Sequence, residues 1–190
     1  MNQQDPAASG PASWERRGER LQLSTRVLAV HGVEFHHPVR GTTREFVVLR
    51  APDWVNVVAV TPEGRLVLVR QFRFGISALS LEVPGGVMEP GEDPLETGLR
   101  ELREETGFTA GRARLLGCVH PNPAIQSNRC HFVLVEDAVR AHDQEWDADE
   151  EIAVELLPVD DVLALARSGG ITHALALNAL MLFDAHRRRA

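Results

Sequence analysis

Residues 55–72 constrain what this chain can fold into more than any other stretch. VNVVAVT at 55–61 and RLVLVRQF at 65–72 flank the turn Pro62, Glu63, Gly64, the pattern of a β-hairpin. A strand with one wet face alternates apolar and polar residues. These two hardly alternate, and valine this dense calls for cover on both faces. The covering helices are legible downstream. Asp93, Pro94 and Glu96 supply an N-cap, a proline at the first helical position and a capping-box glutamate, so a helix is expected to run to Thr106 and stop at Gly107. A second helix fits 159–167, closed by Gly169 and Gly170. A third fits 172–188, with Thr172 as cap and Arg187 to Arg189 at the end where cations suit the dipole. Further strands are expected at 21–30, 45–49, 113–119, 131–135 and 152–156, with Gly32, Pro38 and Gly41 breaking the chain between the first two. Strands, one helix, more strands and two closing helices make an α+β domain layered as an α/β/α sandwich.

The chain has 190 residues, 44% of them hydrophobic, enough for one sizeable core. Residues 1–20 read as a polar leader, disordered in its first part, 21–50 as an N-terminal β segment forming a small antiparallel sheet, and 51–190 as the main domain. The opening MNQQDPAASGPAS has no apolar h-region, so no secretory signal is expected. A net charge of −7 and the lack of a long apolar run argue against a nucleic-acid surface and a membrane span. The two cysteines, Cys118 and Cys130, do not make a disulfide framework or a zinc site, and a reducing cytoplasm is the expected compartment.

The placement of the acids says more than their total. Of the 27, eight fall in 82–105 and eleven in 136–161. On the helix opened by Asp93, Leu95, Leu99, Leu102 and Thr106 lie within about 40° of one line and form the core stripe. Glu101, Glu104 and Glu105 share another sector, about 100° wide. Like charges at these spacings repel, and Arg100 and Arg103 offset only part of the repulsion. A hard divalent cation bound by oxygens would offset the rest. The glycine-bearing loop just upstream, Gly85, Gly86 and then Gly91, allows close backbone approach and can offer a carbonyl to such a cation.

Gly86, then Glu92, then Arg100, Glu101, Leu102, Arg103, Glu104, Glu105, Thr106, Gly107 and Phe108 resemble the Nudix box, G-x5-E-x7-R-E-U-x-E-E-x-G-U with U a bulky apolar residue, and every fixed position is filled. The resemblance implies a Nudix-type mixed sheet between helices and hydrolysis of a nucleoside diphosphate linked to another group, with Mg²⁺ or Mn²⁺. It implies Glu101, Glu105 and Glu104 as metal carboxylates, the carbonyl of Gly85 as a backbone ligand, Arg100 holding the glutamates and Glu92 supporting the loop.

The flanks WVNVVAVTPEGRLVLVRQFRFG and LEVPGG resemble the branch that hydrolyses ADP-ribose and other nucleoside diphosphate sugars. That likeness implies substrate contacts at Arg70, Arg73 and Glu82, Arg73 foremost because a guanidinium pairs bidentately with a diphosphate. HPNPAIQSN supplies Pro121 and Pro123 but has Ala124 where ADP-ribose enzymes often have glycine, which widens the expected range to nucleoside diphosphate sugars generally. Asn122 is a candidate sugar or phosphate contact there. Trp54 and Trp146 are stacking candidates. In this branch the general base often comes from an acidic loop after the box, which implies Glu150 first and Glu151 next. The resemblance further implies a homodimer formed through 21–50. Three other outcomes stay open: a nucleoside triphosphate or dinucleotide substrate, a non-catalytic nucleotide sensor, and isoprenoid diphosphate isomerisation with an active-site cysteine.

Overall fold

The computed structural model describes residues 10–145 and 151–189. The chain divides into two compact units, one of Met1–Ala51 with Asn122–Ser127 and one of Pro52–Pro121 with Asn128–Ala190.

In the first unit, β1 (Glu15–Ser24), β2 (Ala29–His37) and β3 (Thr42–Arg50) form an antiparallel sheet in that order. The expected small sheet is present, with its boundaries moved. β1 starts inside the 1–20 span read as leader, because charged residues serve well in an exposed edge strand once they find cross-strand partners. Arg20 pairs with Glu45 at 2.8 Å and Arg50 with Glu19 at 2.6 Å. The single strand expected over 21–30 is two, separated by a turn that the Thr25 hydroxyl closes by donating to the Leu28 carbonyl and accepting from the Leu28 amide. Gly32 lies within β2 instead of ending it. A Cβ there would fall 2.6 Å from the Gln22 side chain and 2.7 Å from that of Glu45, so its glycine serves close packing rather than chain reversal.

In the second unit, β4 (Trp54–Val60), β5 (Arg65–Arg73), β6 (Ala78–Glu82) and β7 (Gly85–Val87) precede α1 (Pro94–Thr106). Then come β8 (Phe108–Thr109), β9 (Arg112–Val119), β10 (Cys130–Glu136), β11 (Val139–Arg140), β12 (Ala153–Pro158), α2 (Val159–Ser168) and α3 (Ala174–Arg187). The main sheet runs β12-β5-β4-β10-β9, with β6 on β5 and β7 on β4; within it β4 and β10 pair in parallel and the other neighbours antiparallel, and β8 and β11 form a separate ladder.

The valine-rich hairpin is covered on both faces. Val55, Val57, Ala59 and Val67 meet Leu102 of α1, with Leu95 and Leu99 packed beside them. Val58, Leu66 and Leu68 point the other way, into a core with Phe132, Val162 and Leu163 of α2, and Leu180 and Phe183 of α3. The period of two along each strand produces this split. Asp93 caps α1 as expected, accepting from the Leu95 amide at 2.8 Å, and Gly107 ends it at φ 74°. α3 is capped one residue later than expected, by His173, whose Nδ1 accepts from the Ala176 amide. Among the described residues no helix is long and apolar enough to cross a membrane.

Candidate active site

Two glycines bring the strand loop against the acidic helix. β7 pairs with β4 so closely that a Cβ on Gly85 would lie 2.1 Å from the Val55 carbonyl oxygen. The Gly85 amide donates to Glu105 Oε2 at 2.9 Å. A Cβ on Gly86 would lie 2.3 Å from the carboxylate carbon of Glu101 and 2.4 Å from both its oxygens. Leu102 and Thr106 of α1 are fully buried on the core side, which turns Glu101, Glu104 and Glu105 toward this loop.

Arg100 is the hub of the surrounding charge. Its Nη1 lies 2.9 Å from Glu101 Oε1 and 3.0 Å from Glu104 Oε2, and its Nε 3.3 Å from Glu92 Oε1. Glu92 Oε2 also accepts from the Glu89 amide at 2.8 Å and from the Thr97 hydroxyl at 2.9 Å. The Glu89 amide first, then Arg100 and Thr97, hold its carboxyl at about 2 instead of 4.5. A depressed folded value means that the stability Glu92 contributes is fully present above about pH 4.5 and is lost as pH falls through about 2. Thermal melts of the wild type and Glu92→Gln are therefore expected to differ most above pH 4.5 and to converge toward pH 2. A gap that widened on acidification would contradict this role.

A cleft of about 620 Å³ opens along this face, lined by Glu89, Glu101, Glu104, Glu105 and Glu145, with Arg73 and Arg100 as the facing cations and Gly85 to Met88 as its floor. Among the described residues, five carboxylates against two guanidiniums, with no histidine or cysteine in the lining, make an oxygen-donor set of excess negative charge. That is the chemistry of a hard cation. The glycine cradle under Glu101 fits the same purpose, since any side chain at Gly86 would displace the carboxylate. Among the described residues no three such side chains are yet gathered around one point. Glu101 lies against Arg100, and Glu105 accepts from the Gly85 amide.

A second cleft of about 280 Å³ shares Arg73 and Gly85 to Val87 with the first and adds Trp54, Asn56, His173 and Leu175. Arg73 is held in a fork by Glu82, Nε to Oε1 at 2.9 Å and Nη2 to Oε2 at 2.7 Å. Glu82 is 1% exposed, and His173 Nε2 stands 3.6 Å from its Oε2. Burial raises the Glu82 pKa, but Arg73, through its hydrogen bonds and its charge, acts together with His173 and Ser80 to keep the carboxyl below its usual range. Burial also lowers the His173 pKa, which favours a neutral imidazole. Glu82, expected at the substrate, is thus a buried partner that aims Arg73.

Arg70 is three residues from Arg73 and so on the opposite face of β5. It donates to Glu155 of β12 and lines neither cleft. Asn122 belongs to the first unit, where it is exposed and its carbonyl accepts from the Ile125 and Gln126 amides. Trp146 and Glu150 lie outside the described residues, and Glu151 is exposed and not among the cleft-lining residues. Among the described residues, the acidic-loop residue that lines the larger cleft is Glu145, which sequence reasoning passed over, as it did Asn56, His173 and Gln144. Only the acidic cluster around Glu145 gave a signal for any of them.

A NUDIX domain matches residues 50–176 of the chain. The ADP-ribose pyrophosphatase of Bacillus subtilis is 34% identical over 134 residues, 70% of this chain and 72% of that protein. The ADP-sugar pyrophosphatase of Mus musculus is 33% identical over 150 residues, 74% of this chain and 67% of its own length. A crystal structure of an ADP compounds hydrolase superposes with a TM-score of 0.84 over 95% of this chain and 97% of that one, at 22% identity, a likeness of fold. With that domain covering most of the chain and the glycine loop and acidic helix in place, the protein belongs to the Nudix family.

Proposed function

We propose that the protein hydrolyses the diphosphate linkage of nucleoside diphosphate sugars, ADP-ribose among them, to a nucleoside monophosphate and a sugar phosphate. The observation that carries this is the meeting of two unlike clefts at Gly85 to Val87, one lined by carboxylates and the other bounded by Trp54, with Arg73 lining both. A diphosphate at that junction has its phosphates beside the carboxylates and one of its organic ends against the indole. The similarity to an ADP-ribose pyrophosphatase and an ADP-sugar pyrophosphatase supports the same substrate class.

Glu101, Glu104, Glu105 and the Gly85 carbonyl would hold Mg²⁺ or Mn²⁺, which supplies positive charge to the diphosphate and lowers the pKa of bound water. Arg73 binds the diphosphate with its guanidinium aimed by Glu82, and Arg100 keeps the carboxylates spaced. A loop carboxylate accepts the proton of the attacking water, Glu150 and Glu151 being the candidates from sequence and Glu145 a described loop carboxylate that lines the cleft. Water adds across one P–O–P bond, and each phosphorus leaves as a monoester.

We place the enzyme in the cytoplasm, on its two free cysteines. We assign it a homodimer through the first unit, where Leu21, Leu23, Val27 and Val47 are each at least half exposed.

The test is chromatographic analysis of products from ADP-ribose, GDP-mannose, ADP-glucose and a deoxynucleoside triphosphate, with Mg²⁺ or Mn²⁺. Release of AMP and ribose 5-phosphate from ADP-ribose, and slow turnover of the triphosphate, is the expected pattern. Turnover of no diphosphate overturns the proposal.

A further inference from the structure

The last carbonyls of an α-helix have no partner within the helix and must find one elsewhere. At the end of α1 they find the segment 141–145. The Gly107 carbonyl accepts from the Ala141 and His142 amides, and the Glu104 carbonyl accepts from the Glu145 amide at 2.9 Å. The Glu105 carbonyl accepts from the side chain of Gln144, Nε2 to O at 2.6 Å. The same Nε2 reaches the Ile152 carbonyl at 3.3 Å, so both protons of one amide are used. Gln144 is half-buried and Ile152 is 3% exposed, which shields these bonds from water. The segment's next residue is Glu145, on the rim of the carboxylate cleft.

We propose that Gln144 is a positioning residue for hydrolysis: it fastens the 141–145 segment and Ile152 onto the C-terminal end of α1, and so holds the Glu145 carboxylate over the same cleft as Glu101, Glu104 and Glu105. The inference rests on the function proposed above. Gln144 touches no substrate. It acts through two backbone carbonyls, one belonging to the residue whose carboxylate faces the Gly85 amide. Among the described residues, exposed Glu145 has only a long ion pair with Arg103, at 3.9 Å, to hold its side chain, so its backbone anchorage sets where its charge sits.

The experiment compares the wild type with Gln144→Met, which keeps the length and loses the donor, and with Gln144→Glu, which places an acceptor against two carbonyls. Two readouts are used. Steady-state kinetics on ADP-ribose should show kcat lowered by about 10- to 100-fold with KM within about twofold, because displacement by an ångström near the reacting groups carries losses of that order while the Arg73 side of the site is untouched. Amide hydrogen exchange, with no substrate or metal present, should show the Glu145 amide exchanging at least about tenfold faster in both variants, with the Leu102 amide unchanged. Exchange at Glu145 equal to wild type overturns the proposal, as does a wild-type kcat. Failure of the wild type to hydrolyse any nucleoside diphosphate sugar overturns the functional proposal, and the exchange readout then still decides whether Gln144 fastens the segment.

Discussion

Glu105→Gln is expected to lose at least about 100-fold in kcat for ADP-ribose while keeping the fold. The side chain lies at the inner wall of the cleft, 5% exposed, with Oε2 on the Gly85 amide. An amide oxygen accepts from that N–H as a carboxylate oxygen does, so the loop stays on the helix and the melting temperature should hold within about 3 °C. What disappears is one negative charge from the donor set proposed to bind a cation. Loss of an interaction expressed mainly in the transition state lowers kcat more than it raises KM. The check is a rate measurement across a range of Mg²⁺ concentrations. Partial recovery at high Mg²⁺ would accord with weakened cation binding, and an unchanged rate would show that the cleft carboxylates do not serve hydrolysis.

The sheet, the helix order and the acidic helix were legible in the sequence because each rests on a short-range rule. Valine at 55, 57 and 58 with leucine at 66 and 68 demands two covered faces, and the core holds these residues on alternate sides. Asp93, Pro94 and Gly107 bound α1 by chemistry that acts within one turn. What escaped depends on distance along the chain. Glu82 and Arg73 are nine residues apart and meet across the β5–β6 pair, and nothing in LEVP announces that its glutamate is buried and already partnered. The motif groups Arg70 with Arg73, although three residues along a strand is an odd number and sends the two side chains to opposite faces. His173 caps α3 and reaches the Glu82 region from the far end of the chain, with no local pattern to mark it. Charged residues at 15–20 looked like a leader because composition does not register cross-strand pairing.

Gly86→Ala is expected to lower kcat by at least about 10-fold with the protein still folded, and Gly85→Ala to destabilise the protein outright. The neighbours that each new methyl would meet decide the difference. At Gly86 they are the carboxylate atoms of Glu101, at 2.3 and 2.4 Å, the far end of a side chain that can swing away. Gly86 does not have a left-handed backbone, so alanine brings no strain of its own. The fold therefore absorbs the methyl by moving Glu101, one of the carboxylates of the proposed cation site, and the melting temperature should change by less than about 3 °C. At Gly85 the methyl would meet the Val55 carbonyl oxygen at 2.1 Å and the Asn56 Cα at 2.9 Å, and backbone cannot swing. Relief there means separating β7 from β4, the pairing that carries the whole loop, and a loss of more than about 8 °C is expected. Parallel melts and kinetics on the two variants would read this out. A Gly86→Ala enzyme with wild-type kcat would show that the position of Glu101 does not matter to the reaction. The asymmetry also explains why two adjacent glycines stand in this loop: the first lets the strand reach its neighbour, and the second leaves room for a carboxylate.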